Sequence, residues 1–414
     1  MPGSTVCTNP GSKVLPRRRW GLSSRVCTGS FGKMNRPSRS DKGADMTRDR
    51  RVRMLTQTKG QTDMNFKKTL LAAALTLSAG FAMAADLPQV AILATGGTIA
   101  GTAASATQTT GYKAGDLAIQ TLIDAVPQIK DYATVTGEQI VKISSNNLTD
   151  QVLLTLARRC NELLADPKVS GIVITHGTDT LEETAFFLNL TVKSKKPVVV
   201  IGAMRPATAI SADGPMNLLN AVKLAADPKA QDRGVLVALN DQISSGRDVT
   251  KSNTTNVATF KSPDLGYLGY IAGGKNYFLR NPAMRHTHQS EFDVSKLDKL
   301  PRVDILYTHA SDDRVLADAA IAAGAKGIVH AGSGNGSVHG QTEPALAEAV
   351  QKGIAVVLSS RTGSGVVCPN VEQYNKAGFI EGRTLNPQKA RLLLQLALTK
   401  TNDPKEIARM FEEY

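Results

Sequence analysis

Hydroxyl groups and a carboxylate follow two predicted strands, at positions where α/β proteins often carry out chemistry. Thr98 comes after the apolar run 90–94 and two glycines, and Thr178 and Asp179 come after the β-branched run 172–174. Ligands and reactions collect at the carboxyl ends of strands in an open α/β sheet. A hydroxyl beside a carboxylate can bind a polar ligand or start a reaction, and it can equally well cap the next helix.

A threonine hydroxyl is a weak nucleophile until a neighbouring group takes its proton. The positive charge of Lys251 can favour the deprotonated hydroxyl of Thr178, and Asp179 can hold that lysine in place. Tyr112 can serve Thr98 in the same way from the long polar stretch 101–116. The spacing therefore permits two hydroxyl clusters, although threonines at strand ends are common for structural reasons.

Other catalytic and cofactor motifs are absent from the sequence. Gly96-Gly97-Thr98 lacks the Gly-Lys-Ser/Thr of a P-loop. The loop 332–336 has Ser337 at the position where a dinucleotide-binding loop needs its third glycine. There is no Gly-x-Ser-x-Gly elbow. The six histidines show no metal-ligand spacing, and His176 is interpreted as a packed or turn-stabilising residue. We expect neither a cofactor nor a metal site.

The elements that position these residues alternate between strand and helix. Apolar runs at 90–94, 172–174, 198–201 and 234–239 predict buried strands, with helices after several of them. A second set of strands is predicted at 304–307, 327–330 and 354–358. Thr149, Asn386 and Asp403 are placed to cap helices. The pattern predicts two α/β domains, each with a mainly parallel sheet and flanking helices.

The predicted domain boundaries follow from changes in composition. The larger N-terminal, catalytic domain covers residues 86–280, a polar linker covers 281–301, and the smaller C-terminal domain covers 302–414. Cys160 lies on the apolar stripe of a predicted helix and is expected in the core. The sequence offers no argument for or against a disulfide between Cys160 and Cys368.

The strongly basic charge of the chain is confined to its first residues. The net charge is +13, but residues 1–63 hold 14 Lys and Arg against 4 Asp and Glu. Residues 64–85 add Lys67 and Lys68 and no acids, which leaves 33 basic and 32 acidic residues in 86–414. Residues 1–63 resemble a disordered basic leader from an upstream start site. Residues 64–85 have the charged start, apolar run and small-residue cleavage site of a signal peptide. We expect a periplasmic protein that binds neither nucleic acid nor, after cleavage, a membrane.

Several segments resemble the bacterial type II, periplasmic L-asparaginases and glutaminase-asparaginases. The match extends from about residue 87 to the C-terminus. It is carried by residues 94–101, 174–180, 202–206, 211–215, 246–251 and 385–391. The resemblance implies hydrolysis of L-asparagine to L-aspartate and ammonia without a cofactor, through a threonine acyl-enzyme, with side activity on L-glutamine.

The resemblance also implies roles for individual residues. Thr98 would be the nucleophile with Tyr112 as its helper, and Thr178, Lys251 and Asp179 would form the second cluster. The sequence leaves open which threonine attacks first. The substrate would be bound by Ser145, Asn146, Asp179 and, from another subunit of a homotetramer, Ser337 and Glu372.

Two departures from the family pattern concern substrate binding. Asn146 stands where Gln or Glu is usual, and Ser337 replaces an Asn of the most asparagine-selective relatives. Two rival functions stay open at this point. One is a primary glutaminase, because a single methylene distinguishes the substrates. The other is a secreted amino-acid binding protein without catalysis, which would not need Thr98, Thr178 and Lys251 together.

Overall fold

A computed structural model describes residues 86–414, and two sheets dominate this part of the chain. The predicted leader, 1–63, and the predicted signal peptide, 64–85, lie outside the described residues. The predicted fold class is confirmed: a larger N-terminal and a smaller C-terminal α/β domain. The boundaries 86–280, 281–301 and 302–414 remain a proposal. No helix in residues 86–414 is long and apolar enough to cross a membrane.

The N-terminal sheet has eight strands in the order β10-β9-β6-β5-β4-β3-β1-β2. The first five strands along the chain pair in parallel, and β6, β9 and β10 add an antiparallel edge. The strands are β1 (Gln89–Gly96), β2 (Thr134–Ile143), β3 (Val169–Thr175), β4 (Val198–Ile201), β5 (Val235–Leu239), β6 (Gln242–Ser245), β9 (Gly269–Ala272) and β10 (Lys275–Phe278). A separate two-stranded ribbon pairs β7 (Thr250–Lys251) with β8 (Phe260–Lys261).

Helices cover both faces of this sheet because the central strands are apolar on both sides. In β1, Leu93 faces one core and Ile92 faces the other. The helices of the first core include α2 (Asp150–Ala165) and α3 (Leu181–Thr191), and those of the second are α1 (Ile119–Asp124) and α4 (Gly214–Ala225). Cys160 is fully buried in the first core, as predicted, and both Cys160 and Cys368 are free thiols.

The C-terminal sheet is parallel throughout, in the order β11-β12-β13-β14. Its strands are β11 (Val303–Tyr307), β12 (Gly327–Gly332), β13 (Ala355–Ser360) and β14 (Ile380–Glu381), and its helices are α5 (Val315–Ala322), α6 (Glu343–Gln351), α7 (Glu372–Ala377), α8 (Pro387–Ala397) and α9 (Pro404–Glu413). Helix α8 packs on this sheet and also on α3 of the first domain. The two domains therefore share one continuous apolar core.

The predicted caps are confirmed for three helices. The side chains of Thr149, Asn386 and Asp403 accept hydrogen bonds from the backbone N–H groups of the first turns of α2, α8 and α9. Strand β2 was not predicted, because polar side chains interrupt its apolar pattern and all of its residues are exposed or half-buried.

Candidate active site

The predicted reactive side chains surround one cavity at the carboxyl ends of β1 and β3. These strands are parallel neighbours, so the turns that follow them lie side by side. Thr98 begins a short 3-10 turn (Thr98–Ala100) after β1, and Thr178 follows β3. Both threonines are buried, and both line a cavity of about 480 Å³. Two hydroxyl groups that are 80 residues apart in sequence thus face the same space.

Glycines allow the three turns around the cavity to approach each other. A Cβ atom on Gly97 would lie 2.3 Å from the Cα of Gly177, and a Cβ atom on Gly177 would lie 2.5 Å from the Ser145 hydroxyl oxygen. Gly97 also has a φ of +80°, which side chains disfavour. Backbone therefore packs directly on backbone between the two threonine-bearing turns.

The first cluster is formed by Thr98 and Tyr112. Their oxygens are 2.7 Å apart, so one hydroxyl donates a hydrogen bond to the other. Tyr112 is carried by the polar segment 101–116, which folds back on itself through two backbone hydrogen bonds between Thr102 and Lys113. The Thr102 hydroxyl also donates to the carboxylate of Asp116 at 2.7 Å. The segment is an ordered loop that presents the phenol to Thr98.

The second cluster is formed by Thr178, Lys251 and Asp179. The Nζ of Lys251 donates to the hydroxyl oxygen of Thr178 at 3.1 Å and to the carboxylate of Asp179 at 2.6 Å. The side chain of Lys251 is 18% exposed, whereas that of Asp179 is 57% exposed. An ammonium group that touches a buried hydroxyl favours its deprotonated form. The arrangement can activate either the hydroxyl or a water molecule near it.

Glu182 and Lys389 hold the segment that carries Lys251. The buried carboxylate of Glu182 accepts a hydrogen bond from the backbone N–H of Lys251 at 2.6 Å, and it also accepts from the side-chain amides of Asn386 and Gln388. The Nζ of Lys389 donates to the carbonyl oxygens of two residues that precede Lys251 in the chain, Arg247 (2.7 Å) and Val249. Burial lowers the pKa of Lys389 to about 8. Neither Glu182 nor Lys389 carries a sequence signal for this role.

Of the predicted substrate-binding residues Ser145 and Asn146, only Ser145 lines the cavity. Ser145 is buried at the cavity, and its hydroxyl accepts a hydrogen bond from the backbone N–H of Asp179 at 3.2 Å. Asn146 is exposed outside the cavity lining, and its amide donates only to Asn147, at 3.4 Å. The Thr180 hydroxyl donates to the carbonyl of Ser145 and makes no cap bond to α3. The residue before α3 therefore provides no side-chain cap for this helix.

Ser337 and Glu372 do not reach the cavity of their own chain. Ser337 is an exposed residue that pairs with Ser333 through the backbone. Glu372 begins α7 with 82% of its side chain exposed, and it forms an ion pair only with Lys376. Within a single chain, the C-terminal domain contributes no side chain to the cavity lining.

His176 is a buried structural residue, as the sequence analysis interpreted it. One ring nitrogen lies 2.7 Å from the carbonyl oxygen of Gly177, and the other lies 2.8 Å from the hydroxyl of Thr184. Burial lowers the pKa of His176 to about 4, so its ring is neutral at physiological pH. Both nitrogens have partners away from the two threonines.

Several cavity residues were missed by the sequence analysis. They are Thr109, Thr110, Ser144, Met204, Arg205, Thr254 and Thr255. The signal for Met204 and Arg205 was the segment 202–206 together with Asp213, whose carboxylate accepts hydrogen bonds from both backbone N–H groups at 3.0 Å. Thr254 and Thr255 lie on the connection between β7 and β8 and carry no signal in sequence spacing.

Known proteins resemble this chain over all of its described part. Residues 89–284 match the family model for the asparaginase N-terminal domain, and residues 302–411 match that for the glutaminase/asparaginase C-terminal domain. L-asparaginase 2 of Bacillus subtilis is 58% identical over 80% of this chain and 87% of its own length. A protein of Haemophilus influenzae named as a probable periplasmic L-asparaginase is 51% identical over 85% of this chain and 100% of its own. Other relatives are named glutaminase-asparaginase.

A solved structure agrees with the sequence relatives. The crystal structure of a probable cytoplasmic L-asparaginase from Campylobacter jejuni superposes with a TM-score of 0.77 and 54% sequence identity, covering 79% of this chain and 99% of the other. The family models match both domains, and these relatives are covered over 87–100% of their own length. The chain therefore belongs to the asparaginase family of amidohydrolases.

Proposed function

We propose that this chain hydrolyses L-asparagine to L-aspartate and ammonia through a threonine acyl-enzyme, with side activity on L-glutamine. The observation that carries the proposal is the pair of hydroxyl clusters in one cavity, Thr98 with Tyr112 and Thr178 with Lys251 and Asp179. Asparagine hydrolysis is also supported by the relatives named L-asparaginase. A cavity of about 480 Å³ suits an amino-acid substrate.

In the acylation step, the Oγ1 of Thr98 attacks the side-chain amide carbon while its proton passes to Tyr112. The tetrahedral intermediate collapses when the C–N bond breaks, and the proton reaches the leaving nitrogen, which departs as ammonia. An ester between Thr98 and the aspartyl group remains. Backbone N–H groups of the turns after β1 and β3 are the donors available to the oxyanion.

In the deacylation step, a water molecule attacks the ester carbonyl. Lys251 and Thr178 activate that water, and Asp179 keeps the ammonium of Lys251 in place at 2.6 Å. Collapse of the second intermediate breaks the C–O bond, returns the proton to Thr98 and releases L-aspartate. The same clusters are compatible with the reverse assignment, in which Thr178 attacks, so variants of both threonines are needed.

The substrate's α-carboxylate and α-ammonium are assigned to Ser145 and Asp179. The open carboxylate of Asp179 is the acidic group of the cavity lining, and a substrate ammonium leaving water needs a charged partner. Asn146 would contribute to binding only from outside the cavity lining, next to Ser145. Ser337 and Glu372 are proposed to act on the cavity of another subunit in a homotetramer.

Glutamine is one methylene longer than asparagine, and one methylene typically changes transition-state binding by about 1–3 kcal/mol. The loops 101–116 and 252–259 border the cavity and determine whether the longer side chain fits. A primary glutaminase is therefore the second candidate, supported by the relatives named glutaminase-asparaginase. A binding protein without catalysis is disfavoured, because binding does not require Lys251 against a buried threonine hydroxyl.

We propose a periplasmic location from the signal-peptide pattern in residues 64–85 and from the name of the Haemophilus influenzae relative. The solved relative from Campylobacter jejuni is described as cytoplasmic, so the location needs its own test.

Ammonia release from L-asparagine and L-glutamine, measured on the chain from Asp86 onward, tests the proposed reaction. Faster release from asparagine supports the proposal, and faster release from glutamine favours the primary glutaminase. Stoichiometric binding of either amino acid without ammonia release would identify a binding protein and overturn the proposal.

A further inference from the structure

Three side chains that are far apart in sequence form a compact donor cluster away from the catalytic cavity. Asp232 lies just before β5, while His286 and His288 flank Thr287 at the start of the segment between the two sheets. One ring nitrogen of each histidine and one carboxylate oxygen of Asp232 all lie within 4.8 Å of one another. No metal site was expected from the spacing of residues in the sequence. Spacing does not detect this cluster, because Asp232 and His286 are 54 residues apart in the chain.

The geometry between His288 and Asp232 fits two ligands of one metal ion. The Nδ1 of His288 lies 3.4 Å from a carboxylate oxygen of Asp232. Ligand atoms around a tetrahedral zinc ion, with bonds of about 2.0–2.1 Å, lie about 3.3–3.4 Å apart. The Nδ1 of His288 is also buried without any hydrogen-bond partner. The lone pair of this nitrogen is therefore available to a metal ion.

His286 is positioned as the third ligand. Its side chain is buried, and its Nδ1 is 2.9 Å from the hydroxyl oxygen of Thr287, a contact that fixes the ring orientation. Thr287 itself has a φ of +39°, which is rare for a β-branched residue. Thr287 separates His286 and His288 in the chain. The ring centroids of the two histidines are 6.1 Å apart, the angle between the ring planes is 72°, and both rings lie near Asp232.

An ordinary ion pair accounts for the cluster less well. Asp232 is already 3.5 Å from the ammonium of Lys195, and its side chain is 44% exposed. A charged His288 at 3.4 Å would add only a weak, water-screened pair and would still make no hydrogen bond through Nδ1. Two imidazoles and one carboxylate form a donor set suited to transition metals, whereas Mg²⁺ and Ca²⁺ prefer oxygen ligands.

We propose that His286, His288 and Asp232 bind one Zn²⁺ ion, with water in the fourth position. The ion would link the segment that follows β10 to the loop that precedes β5. None of the three ligands lines the catalytic cavity. The ion is therefore expected to stabilise the fold without taking part in amide hydrolysis.

Isothermal titration of the tag-free full chain with ZnCl₂, after treatment with EDTA, tests the site. We expect about one Zn²⁺ per chain and a rise in melting temperature that grows with zinc concentration. His288→Ala should weaken zinc binding at least about tenfold and remove the rise in melting temperature. Lys195→Ala should strengthen binding, because it removes the cation that competes for Asp232.

His309→Ala is the matched control. His309 lies 3.9 Å from a carboxylate oxygen of Asp312, so it is also a histidine–aspartate pair, but no third donor joins it among residues 86–414. Its loss should leave zinc binding unchanged. If His288→Ala does not fold, the exposed Asp232→Asn variant replaces it and should also weaken binding.

The proposal is overturned if the chain binds no zinc. It is also overturned if the wild type, His288→Ala and Asp232→Asn bind zinc equally. Equal binding would mean that other residues, such as cysteines, hold the zinc ion, because those residues are the same in all three proteins. Co²⁺, used as a spectroscopic probe, should give tetrahedral visible absorption in the wild type and lose it in His288→Ala.

Discussion

The carboxylate of Glu182 accepts a 2.6 Å hydrogen bond from the backbone N–H of Lys251. Glu182 is in the first turn of α3, and Lys251 is in strand β7. The hydrogen bond therefore fixes the position of the Lys251 backbone relative to the turn that carries Thr178. The other carboxylate oxygen accepts hydrogen bonds from Asn386 and Gln388 of the C-terminal domain. Glu182 thus connects the position of Lys251 to the packing between the domains.

We expect Glu182→Gln to lower kcat by about 10–100-fold with a smaller change in KM. A neutral amide cannot accept hydrogen bonds at both ends, so the backbone N–H of Lys251 or the amides of the C-terminal domain lose their partner. Initial-rate measurements check this, and Glu162→Gln on the exposed surface of α2 is the control. An unchanged kcat in a folded Glu182→Gln enzyme would show that Lys251 is held in place by other contacts.

Thr98→Ala and Thr178→Val should each reduce ammonia release by roughly a thousandfold or more, as the loss of a nucleophile or of its activating group commonly does. Circular dichroism should show an unchanged fold, since each substitution removes one hydroxyl group. Thr155→Val, on an exposed turn of α2, is the control for losing a threonine hydroxyl. Near-normal turnover by either active-site variant would remove that threonine from the proposed mechanism.

The stability of the protein should depend on the protonation of Glu183. Burial raises the pKa of Glu183 from 4.5 to about 7. Between these values the folded protein holds a proton that the unfolded chain has lost, so the contribution of Glu183 to the free energy of unfolding is largest below pH 4.5 and is lost as the pH rises through 7.

The free energy of unfolding of Glu183→Gln, measured relative to that of the wild type, should therefore increase by about 1–2 kcal/mol between pH 5 and pH 8. Urea unfolding of both proteins at the two pH values measures this change, with Glu162→Gln as the exposed control. A stability difference that does not change between pH 5 and pH 8 would mean that Glu183 titrates normally in the folded protein.

Active sites shared between chains predict complementation of two inactive variants. Thr98→Ala and Glu372→Ala should each lose most activity, and co-refolding should restore part of it, because some sites would then combine one intact face from each chain. Glu406→Ala, another exposed acid of the C-terminal domain, should remain active. Analytical ultracentrifugation should show a tetramer. If co-assembled chains recover nothing, each chain works alone.

A chain that begins at Met64 should be exported, cleaved before Ala85 or Asp86, and fully active. The reason is the complete signal-peptide pattern that follows a basic segment without structural periodicity. Mass spectrometry of the protein from its native host measures the mature N-terminus. A mature N-terminus upstream of Met64 would contradict the proposed start and give residues 1–63 a role.

The sequence predicted those parts of the site that depend on strand ends. Thr98 and Thr178 were placed at strand ends because 90–94 and 172–174 are apolar, β-rich runs, and Tyr112 and Lys251 were possible partners because of their hydroxyl and charge chemistry. That the two threonines face one cavity follows from the pairing of β1 with β3, which the sequence analysis did not predict. Glu182 was not identified, since an acid in the first turn of a helix is an ordinary stabilising feature. Asp232 and His288 meet only because of long-range folding, which local spacing does not encode.

The contact between Gly97 and Gly177 has a consequence for changing the substrate preference of this enzyme. At 2.3 Å from a backbone atom, even a single methyl group on Gly97 would push apart the two turns that carry the threonines. Substitutions there would alter the distance between the hydroxyls of Thr98 and Thr178 before they alter the shape of the cavity. Redesign for a longer or shorter amide therefore has to use Thr254, Thr255 and the loop around Tyr112, where side chains line the cavity without separating the strands.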